Sequence, residues 1–291
     1  MSPLRSKTVA ALLDKGAARL HLAGIATARL DAELLLRHVL GWERADVIGR
    51  AAEAVPPASA ALVEAAIEQR ARRRPLQHLT GHQAFWRHDF IVTPDVLVPR
   101  PETEILVERA LELIRDRPAP VVVDVGTGSG CIALSLAAER PEAQVHATEL
   151  SPAALLVARG NAARLRVDAR VTFHEGDLLE PVTALAGAVD LVVSNPPYVS
   201  DEEWATLEPE VRLHDPRMAL VPPEGVPALY DRLVTRAAAT VRPGGFVLVE
   251  IGAGDQGQAV QAMARAGLAA IETRPDLQGI PRIVSGRRPT D

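Results

Sequence analysis

The sequence predicts an α/β protein in which a doubly wound, mostly parallel sheet follows a small N-terminal helical bundle. Strands and helices alternate from residue 119 onward, which is the pattern of a parallel sheet covered by helices. Residues 1–74 instead carry apolar side chains at helical spacing. Because the chain has 291 residues, of which 47% are hydrophobic, it is long enough to build two cores.

Residues 1–74 are predicted to form a domain of helices. Apolar periodicity predicts helices from Thr8 to Leu22, from Leu30 to Leu40 and from Ser59 to Arg73. A basic run accompanies the end of the third helix and consists of Arg70, Arg72, Arg73 and Arg74. These side chains fit either a solvated surface or a contact with an acidic partner.

Residues 75–100 are predicted to form a linker that contains a β-hairpin. One strand would include Phe90-Ile91-Val92, the other Val96-Leu97-Val98, and Thr93-Pro94-Asp95 would form the turn. The aromatic side chains of this stretch, Phe85-Trp86 among them, are expected to pack between domains.

Residues 101–291 are predicted to form the larger domain, which begins with a helix that runs through Ile114. Its predicted strands are 121–125, 143–149, 170–174, 188–194, 244–251, 268–273 and 281–286. Its further helices are predicted at 131–139, 152–166, 225–241 and 256–266. Because no helix separates the last two strands, we expect them to pair antiparallel.

A glycine-rich turn joins the first strand of this domain to its helix. The strand Val121–Val125 runs into Gly126-Thr127-Gly128-Ser129-Gly130, and the helix begins at Cys131. Glycines let the backbone pass close under a ligand, and a helix N-terminus offers free N–H groups. The next strand ends in Glu149, where an acid can bind both hydroxyls of a ribose. The combination indicates a nucleotide-like ligand, although its spacing is that of neither a dinucleotide site nor a P-loop.

A second motif, Asn195-Pro196-Pro197-Tyr198, follows the strand at 188–194. Pro196 and Pro197 have no N–H group, so the strand cannot continue its ladder. The Asn195 side-chain oxygen and a free backbone carbonyl can each accept one hydrogen of a planar NH2 group, and the Tyr198 ring can lie against its plane. Taken alone, the tetrapeptide is equally consistent with a proline-rich strand exit that performs no chemistry.

Charge and cysteine content limit the other functional classes. The net charge is −5, so no polycationic surface for nucleic acid is expected. The single cysteine, Cys131, excludes an internal disulfide and fits either a small buried residue or a thiol activated by the helix N-terminus. Histidine and cysteine spacing predicts no metal site. Because the chain has no apolar run of about 18 residues and no cleavable leader, we expect a soluble, cytoplasmic protein without membrane contact.

Together these motifs resemble those of the class I S-adenosylmethionine-dependent methyltransferases that modify planar amino or amide nitrogens. The chain is most similar to the glutamine N5-methyltransferases of peptide chain release factors, over nearly its whole length. The similarity rests on Pro75–Gly81, Val96–Glu104, Asp124–Gly130, Glu149, Asn195–Tyr198, His214–Leu220, Glu250-Ile251-Gly252 with Gln256, and Asp276–Gly279 with Arg282. The chain departs from the family pattern at Arg87, Glu149, Asp215 and Gly225-Val226-Pro227.

The resemblance implies a division into a substrate-recognition domain at residues 1–74, a linker at 75–100 and a seven-stranded, Rossmann-like methyltransferase domain at 101–291. S-adenosylmethionine would be the cofactor, and the acceptor would be the glutamine amide of a Gly-Gly-Gln motif in a release factor. No direct contact with nucleic acid is expected, and nothing in the sequence demands more than a monomer.

The resemblance also implies the roles of individual residues. The catalytic residues would be Asn195, Pro196, Pro197 and Tyr198. The cofactor-binding residues would be Arg100, Thr103, Gly126, Thr127, Gly128, Ser129, Gly130, Glu149, Asp177, Leu178 and Asn195. Asp177, which would bond the adenine amino group, is also consistent with a simple turn aspartate.

Three other functions use similar motifs. A nucleic acid adenine N6-methyltransferase presents the same tetrapeptide to an adenine NH2, but it needs a basic groove, whereas residues 101–291 carry 18 basic against 27 acidic side chains. A glutamine methyltransferase of a ribosomal protein is a second alternative. A non-catalytic cofactor-binding scaffold is the third, and it would be expected to lack Asn195 or the glycines.

Overall fold

The computed structural model describes residues 7–290, which divide into two compact units. One unit comprises the described residues up to Gly81 together with Glu208–His214, and the other comprises His82–Leu207 and the residues from Asp215 onward. The α-helices of residues 7–290 are α1 Val9–Leu22, α2 Ala28–Leu40, α3 Arg44–Gly49, α4 Pro57–Ala71, α5 Leu76–Thr80, α6 Glu104–Leu113, α7 Cys131–Glu139, α8 Pro152–Leu165, α9 Asp201–Trp204, α10 Pro209–His214, α11 Val226–Thr240 and α12 Gln256–Arg265. The strands are β1 His82–Phe85, β2 His88–Ile91, β3 Val121–Val125, β4 Gln144–Glu149, β5 Val171–Glu175, β6 Val189–Ser194, β7 Val241–Glu250, β8 Ala269–Pro275 and β9 Pro281–Arg287.

The first unit is helical, and the three predicted helices agree with α1, α2 and α4. Helix α1 begins where the Thr8 hydroxyl accepts a hydrogen bond from the Ala11 amide, and α2 ends at Gly41, whose φ of 65° only glycine adopts readily. The short helices α3 and α5 were not predicted, because six and five residues are too few to show a helical period.

The arginine run of this unit is not a uniformly solvated surface. Arg70 is buried; its Nε donates to Asp31 at 2.7 Å and its Nη1 to Glu210 at 3.0 Å. Arg73 also donates to Glu210, at 3.0 Å. Both expectations for the run, a solvated face or a grip on an acidic partner, are therefore wrong for Arg70, whose charge is compensated inside the unit.

The second unit contains a seven-stranded sheet in the order β5-β4-β3-β6-β7-β9-β8, which confirms the predicted doubly wound, mostly parallel architecture. The neighbouring pairs are parallel except β8 with β9, which is antiparallel as expected, and β7 with β9, whose antiparallel pairing was not predicted. The central strand β3 is apolar because helices cover both faces of the sheet, and Val122, Val123 and Val125 are at most 1% exposed. Strand β7 begins at Val241 rather than at residue 244, and a bulge in its register with β6 accommodates the extra residues.

The hairpin is shorter and earlier than predicted. Strands β1 and β2 pair antiparallel with Phe85 opposite His88, so the turn lies at Trp86-Arg87. A turn does form at Thr93-Pro94-Asp95, where the Val96 amide donates to the Thr93 carbonyl at 3.2 Å. The prediction that it joins two strands of a hairpin is wrong, because Val96–Val98 forms no strand. Trp86 adopts a φ of 55°, which permits the tight turn, and Phe85 and Phe90 are buried in the core of the second unit.

The sheet places the predicted motifs at one edge. Gly126, Asp177 and Asn195 follow the carboxyl ends of β3, β5 and β6, and Glu149 is the last residue of β4; these four strands are adjacent in the sheet. Strands β3 and β6 form the point where the strand order reverses, which is where open α/β sheets bind ligands. Among the helices of residues 7–290, none combines the length and apolar character that a membrane span requires.

Candidate active site

An open cleft lies at the carboxyl edge of β3–β6. Its empty space is about 980 Å³, part of it continuous with bulk solvent. Seven of the predicted site residues line it: Gly126, Gly128, Glu149, Asp177, Leu178, Asn195 and Pro197. The other predicted site residues do not line the cleft; they are Arg100, Thr103, Thr127, Ser129, Gly130, Pro196 and Tyr198.

The glycine loop forms the floor of the cleft. Gly126 and Gly128 have φ values of 72° and 56°, in the left-handed region that disfavours other residues. A Cβ atom built on either glycine would meet no protein atom within 4 Å, so it would occupy cleft space instead. The amides of Gly126 and Thr127 both donate to the Thr148 carbonyl, which holds the loop against β4. The floor is therefore a fixed stretch of bare backbone.

The Asp124 carboxyl supports this loop from below. Its Oδ2 accepts hydrogen bonds from the Thr127 hydroxyl at 2.6 Å and from the Ala133 amide at 3.2 Å. Asp124 is fully buried, and burial raises its pKa to about 7. The carboxyl thus ties the loop to the first turn of α7.

Glu149 lies beside the loop with its carboxylate held in one orientation. Oε2 accepts from the Gly128 amide and Oε1 from the Ser151 amide, both at 2.9 Å. Each carboxylate oxygen can accept more than one hydrogen, so both retain lone pairs for further donors. The arrangement is suited to a ligand diol such as that of a ribose.

Asp177 forms ion pairs that the sequence did not reveal. Arg232 on α11 bonds the Asp177 carboxylate and also Glu224, the latter at 2.5 Å. Arg236, also on α11, lies 3.7 Å from Asp177. Arg232 and Glu224 line the cleft but were not predicted, because no local motif links them to a residue about 50 positions earlier.

Asn195 lines the cleft and is bonded to a polar residue behind the cleft wall. Its Nδ2 donates to the Thr103 hydroxyl oxygen at 3.2 Å, and Thr103 is buried. The Tyr198 hydroxyl donates to Oε1 of Glu250 at 3.4 Å, and Glu250 is only 2% exposed. Thr103 therefore supports Asn195 rather than facing the cleft. Glu250 supports the family resemblance but was not predicted as a site residue, although an acid at the buried end of strand β7 is a sequence signal of one.

Tyr198 borders a second depression that shares Pro222 with the cleft. Its acidic lining residues are Asp201, Glu202, Glu203 and Asp255. Burial raises the pKa of Tyr198, so its phenol stays protonated as a hydrogen-bond donor.

Neither Arg100 nor Cys131 lines the cleft. Arg100 donates to the buried Asp215 at 2.7 Å, and burial raises the pKa of that carboxyl to about 6. Burial raises the pKa of the Cys131 thiol to about 12, which is opposite to the lowering expected of an activated thiol. Within residues 7–290, no three His, Cys, Asp or Glu side chains are grouped to hold a metal ion.

Comparisons with known proteins agree with this geometry. Residues 11–81 match the family described as the PrmC N-terminal domain, and residues 102–210 match the methyltransferase small domain. A crystal structure of the hMettl16 catalytic domain with a 3′UTR hairpin has a similar fold, with a TM-score of 0.57 over 69% of this chain and 75% of that one. Because the two sequences are only 13% identical, the similarity concerns the fold alone.

Two curated relatives extend the similarity to the whole chain. The release factor glutamine methyltransferase of Cereibacter sphaeroides is 46% identical over 93% of this chain and 95% of its own length. The protein of the same name from Deinococcus radiodurans is 45% identical over 95% of this chain and 97% of its own length. With the glycine loop, Glu149 and Asn195 gathered at one sheet edge, the chain belongs to the release factor glutamine methyltransferase family.

Proposed function

We propose that this protein transfers a methyl group from S-adenosylmethionine to the side-chain amide nitrogen of the glutamine in the Gly-Gly-Gln motif of a peptide chain release factor. The observation that carries the proposal is that Asn195 lines the same cleft as the glycine loop and Glu149. The names and high identity of the relatives support a release factor as substrate.

The residues of the cleft fit this methyl donor. The bare floor at Gly126 and Gly128 leaves room that any side chain would fill. Glu149 would accept the ribose hydroxyls, and Asp177 with Leu178 lies where an adenine would be received. When bound, S-adenosylmethionine supplies a methyl carbon that the adjoining sulfonium makes electrophilic.

Asn195 and the Pro196 carbonyl would orient the acceptor. An amide nitrogen is a poor nucleophile because its lone pair is delocalised into the carbonyl. Two oxygen acceptors on its hydrogens would place the nitrogen and stabilise the positive charge that develops on it. Tyr198 would form a wall for the glutamine on the side of the second depression. One amide proton would then leave to solvent, so no side chain is required as a general base.

The test is methyl transfer from radiolabelled S-adenosylmethionine to purified release factor. Four acceptors are run in parallel: the intact factor, a variant with the Gly-Gly-Gln glutamine replaced, a ribosomal protein fraction and duplex DNA. We expect label on the intact factor alone. Label on the ribosomal fraction or on DNA would reject the proposed substrate, and absence of label with the donor still bound would reject the activity.

A further inference from the structure

Arg232 is the only basic side chain that lines the cleft within residues 7–290. The other charged side chains of the lining are the acids Asp95, Glu149, Asp177 and Glu224. The proposed methyl donor carries a positive sulfonium, so a free cation at this place would oppose its binding. Arg232 is not free, because it bonds the carboxylates of Asp177 and Glu224. The arginine is therefore placed to act on these two acids rather than on an anionic ligand.

The Arg232 guanidinium joins two loops of the cleft. Its Nε and Nη2 donate to Oε1 of Glu224 at 3.1 and 2.5 Å, and its Nη1 donates to Oδ2 of Asp177. Glu224 belongs to the loop that precedes α11, and Asp177 to the loop that follows β5. The planar guanidinium presents its donors in a fixed geometry, so one side chain can hold both carboxylates at once.

The backbone around Asp177 is also held in place. The Gly176 amide donates to the Glu149 carbonyl at 2.9 Å, and the Glu180 amide donates to the Asp177 carbonyl at 3.1 Å. Leu178 has a φ of 50°, in the left-handed region that leucine seldom adopts. With Oδ2 bonded to an arginine, the second oxygen, Oδ1, accepts no hydrogen bond from residues 7–290. Asp177 thus offers one acceptor atom on a side chain that is fixed at both ends.

We infer that Arg232 is a positioning residue, which holds Asp177 so that its Oδ1 accepts a hydrogen from the adenine amino group and the cleft selects a 6-aminopurine over a 6-oxopurine. This inference rests on the proposed function, in which the methyl donor carries an adenine. A 6-oxo group has no hydrogen to donate, and its oxygen would face the carboxylate oxygen. Two acceptors in this arrangement repel each other, which adds discrimination against the oxo base.

The test compares the calorimetric binding of S-adenosylhomocysteine with that of S-inosylhomocysteine, its 6-oxo analogue. Neither compound has a methyl group to transfer, so binding is measured without the reaction. We expect the wild type to bind the adenine compound at least about tenfold more tightly. Arg232→Ala should weaken binding of the adenine compound about tenfold and change binding of the inosine compound by less than about twofold. Glu224→Ala, which leaves the arginine with one partner, should produce a smaller loss with the same selectivity.

Arg236→Ala is the matched control. Arg236 lies on the same helix, 3.7 Å from the same Asp177 oxygen, and its side chain is 35% exposed against 34% for Arg232. It bonds Glu180 at 3.0 Å and does not line the cleft. The control therefore removes the same charge from nearly the same place, and both affinities should stay within about twofold of the wild type.

The outcomes separate the positioning role from the proposed function. Equal losses for the two compounds in Arg232→Ala, or the same selective loss in Arg236→Ala, would overturn the positioning role. A protein that shows the expected selectivity but methylates no release factor would reject the proposed function and leave the positioning role supported.

Discussion

The Asp124 carboxyl accepts one hydrogen bond from the glycine loop and one from the first turn of α7, and it does not line the cleft. Glu250 and Asp215 are likewise buried carboxyl groups near the site, each with a pKa raised by burial. At the scale of single residues, buried carboxyl groups behind the cleft therefore accept hydrogen bonds from the backbone and the side chains around it. Such acids also couple the stability of the domain to pH.

Asp124→Asn should change the pH dependence of stability. The pKa of the folded-state carboxyl is raised to about 7 from an ordinary value of 3.8, so between these pH values the folded protein holds a proton that the unfolded chain has released. The contribution of Asp124 to the free energy of unfolding is thus present below about pH 4 and is lost as the pH rises toward 7. The asparagine of the variant does not titrate, so the variant does not lose stability in this way. Between pH 4 and pH 8, the free energy of unfolding of the variant minus that of the wild type should therefore increase by on the order of a few kcal/mol.

Urea unfolding over that pH range, without cofactor, measures this difference. Asp168 is exposed, so Asp168→Asn serves as the control, and its stability should keep the pH dependence of the wild type. Parallel pH curves for the wild type and Asp124→Asn would show that the buried carboxyl does not hold a proton.

Asn195→Ala should abolish methyl transfer while leaving S-adenosylmethionine binding nearly intact. Removing one preorganised group that stabilises developing charge typically costs about a hundredfold or more in kcat. Single-turnover transfer and calorimetric binding of the cofactor separate the two effects. Full activity in the variant would show that no amide at this position orients the acceptor.

At the scale of elements, helix α8 joins the hairpin to the glycine loop through one buried side chain. The Asn161 oxygen accepts from the Ile91 amide at 2.8 Å, and its nitrogen donates to the carbonyls of Ile91 and Ser129 at 3.0 and 2.9 Å. The amide thus pairs with a strand on one side and with the loop on the other. An asparagine within a predicted helix carries no local sign of this role.

Asn161→Ala should lower the free energy of unfolding by about 2–4 kcal/mol, because it leaves three backbone groups without their partner. The matched control is Gln258→Ala, which removes a similar amide from the exposed face of α12 and should cost less than about 0.5 kcal/mol. Chemical denaturation of both variants gives the comparison. Similar losses in the two would mean that the buried bonds of Asn161 contribute no net stability.

At the scale of the whole molecule, the second unit begins at His82, so the hairpin belongs to it structurally. Phe85 and Phe90 are fully buried with Leu106, Ile114 and other core residues of that unit. A chain division at residue 101 would therefore remove part of a core. The first unit in turn contains Glu208–His214, which a division by sequence position assigns to the methyltransferase half.

A fragment of residues 82–291 should be more stable than a fragment of residues 101–291. Burial of each phenylalanine contributes about 1.5–3 kcal/mol, so loss of both should lower the free energy of unfolding by several kcal/mol. Both fragments carry residues 208–214, which makes the comparison a controlled one. Urea denaturation followed by circular dichroism measures it, and equal midpoints would mean that the hairpin is not part of the folded core.

The sequence by itself determined the order and type of the main helices and strands, the sheet edge where the motifs meet, and the family. It did so because helical and strand periodicities, and the Gly126–Gly130 and Asn195–Tyr198 motifs, are local patterns. The tertiary structure decided the turn at Trp86-Arg87, the burial of Arg70, the Asp177–Arg232 pair and the partners of Glu250. Most of these contacts join side chains tens of residues apart, and the turn is selected by the packing of Phe85 and Phe90 into a core. Interactions of this kind leave no periodic trace in the chain, so only folding brings their partners together.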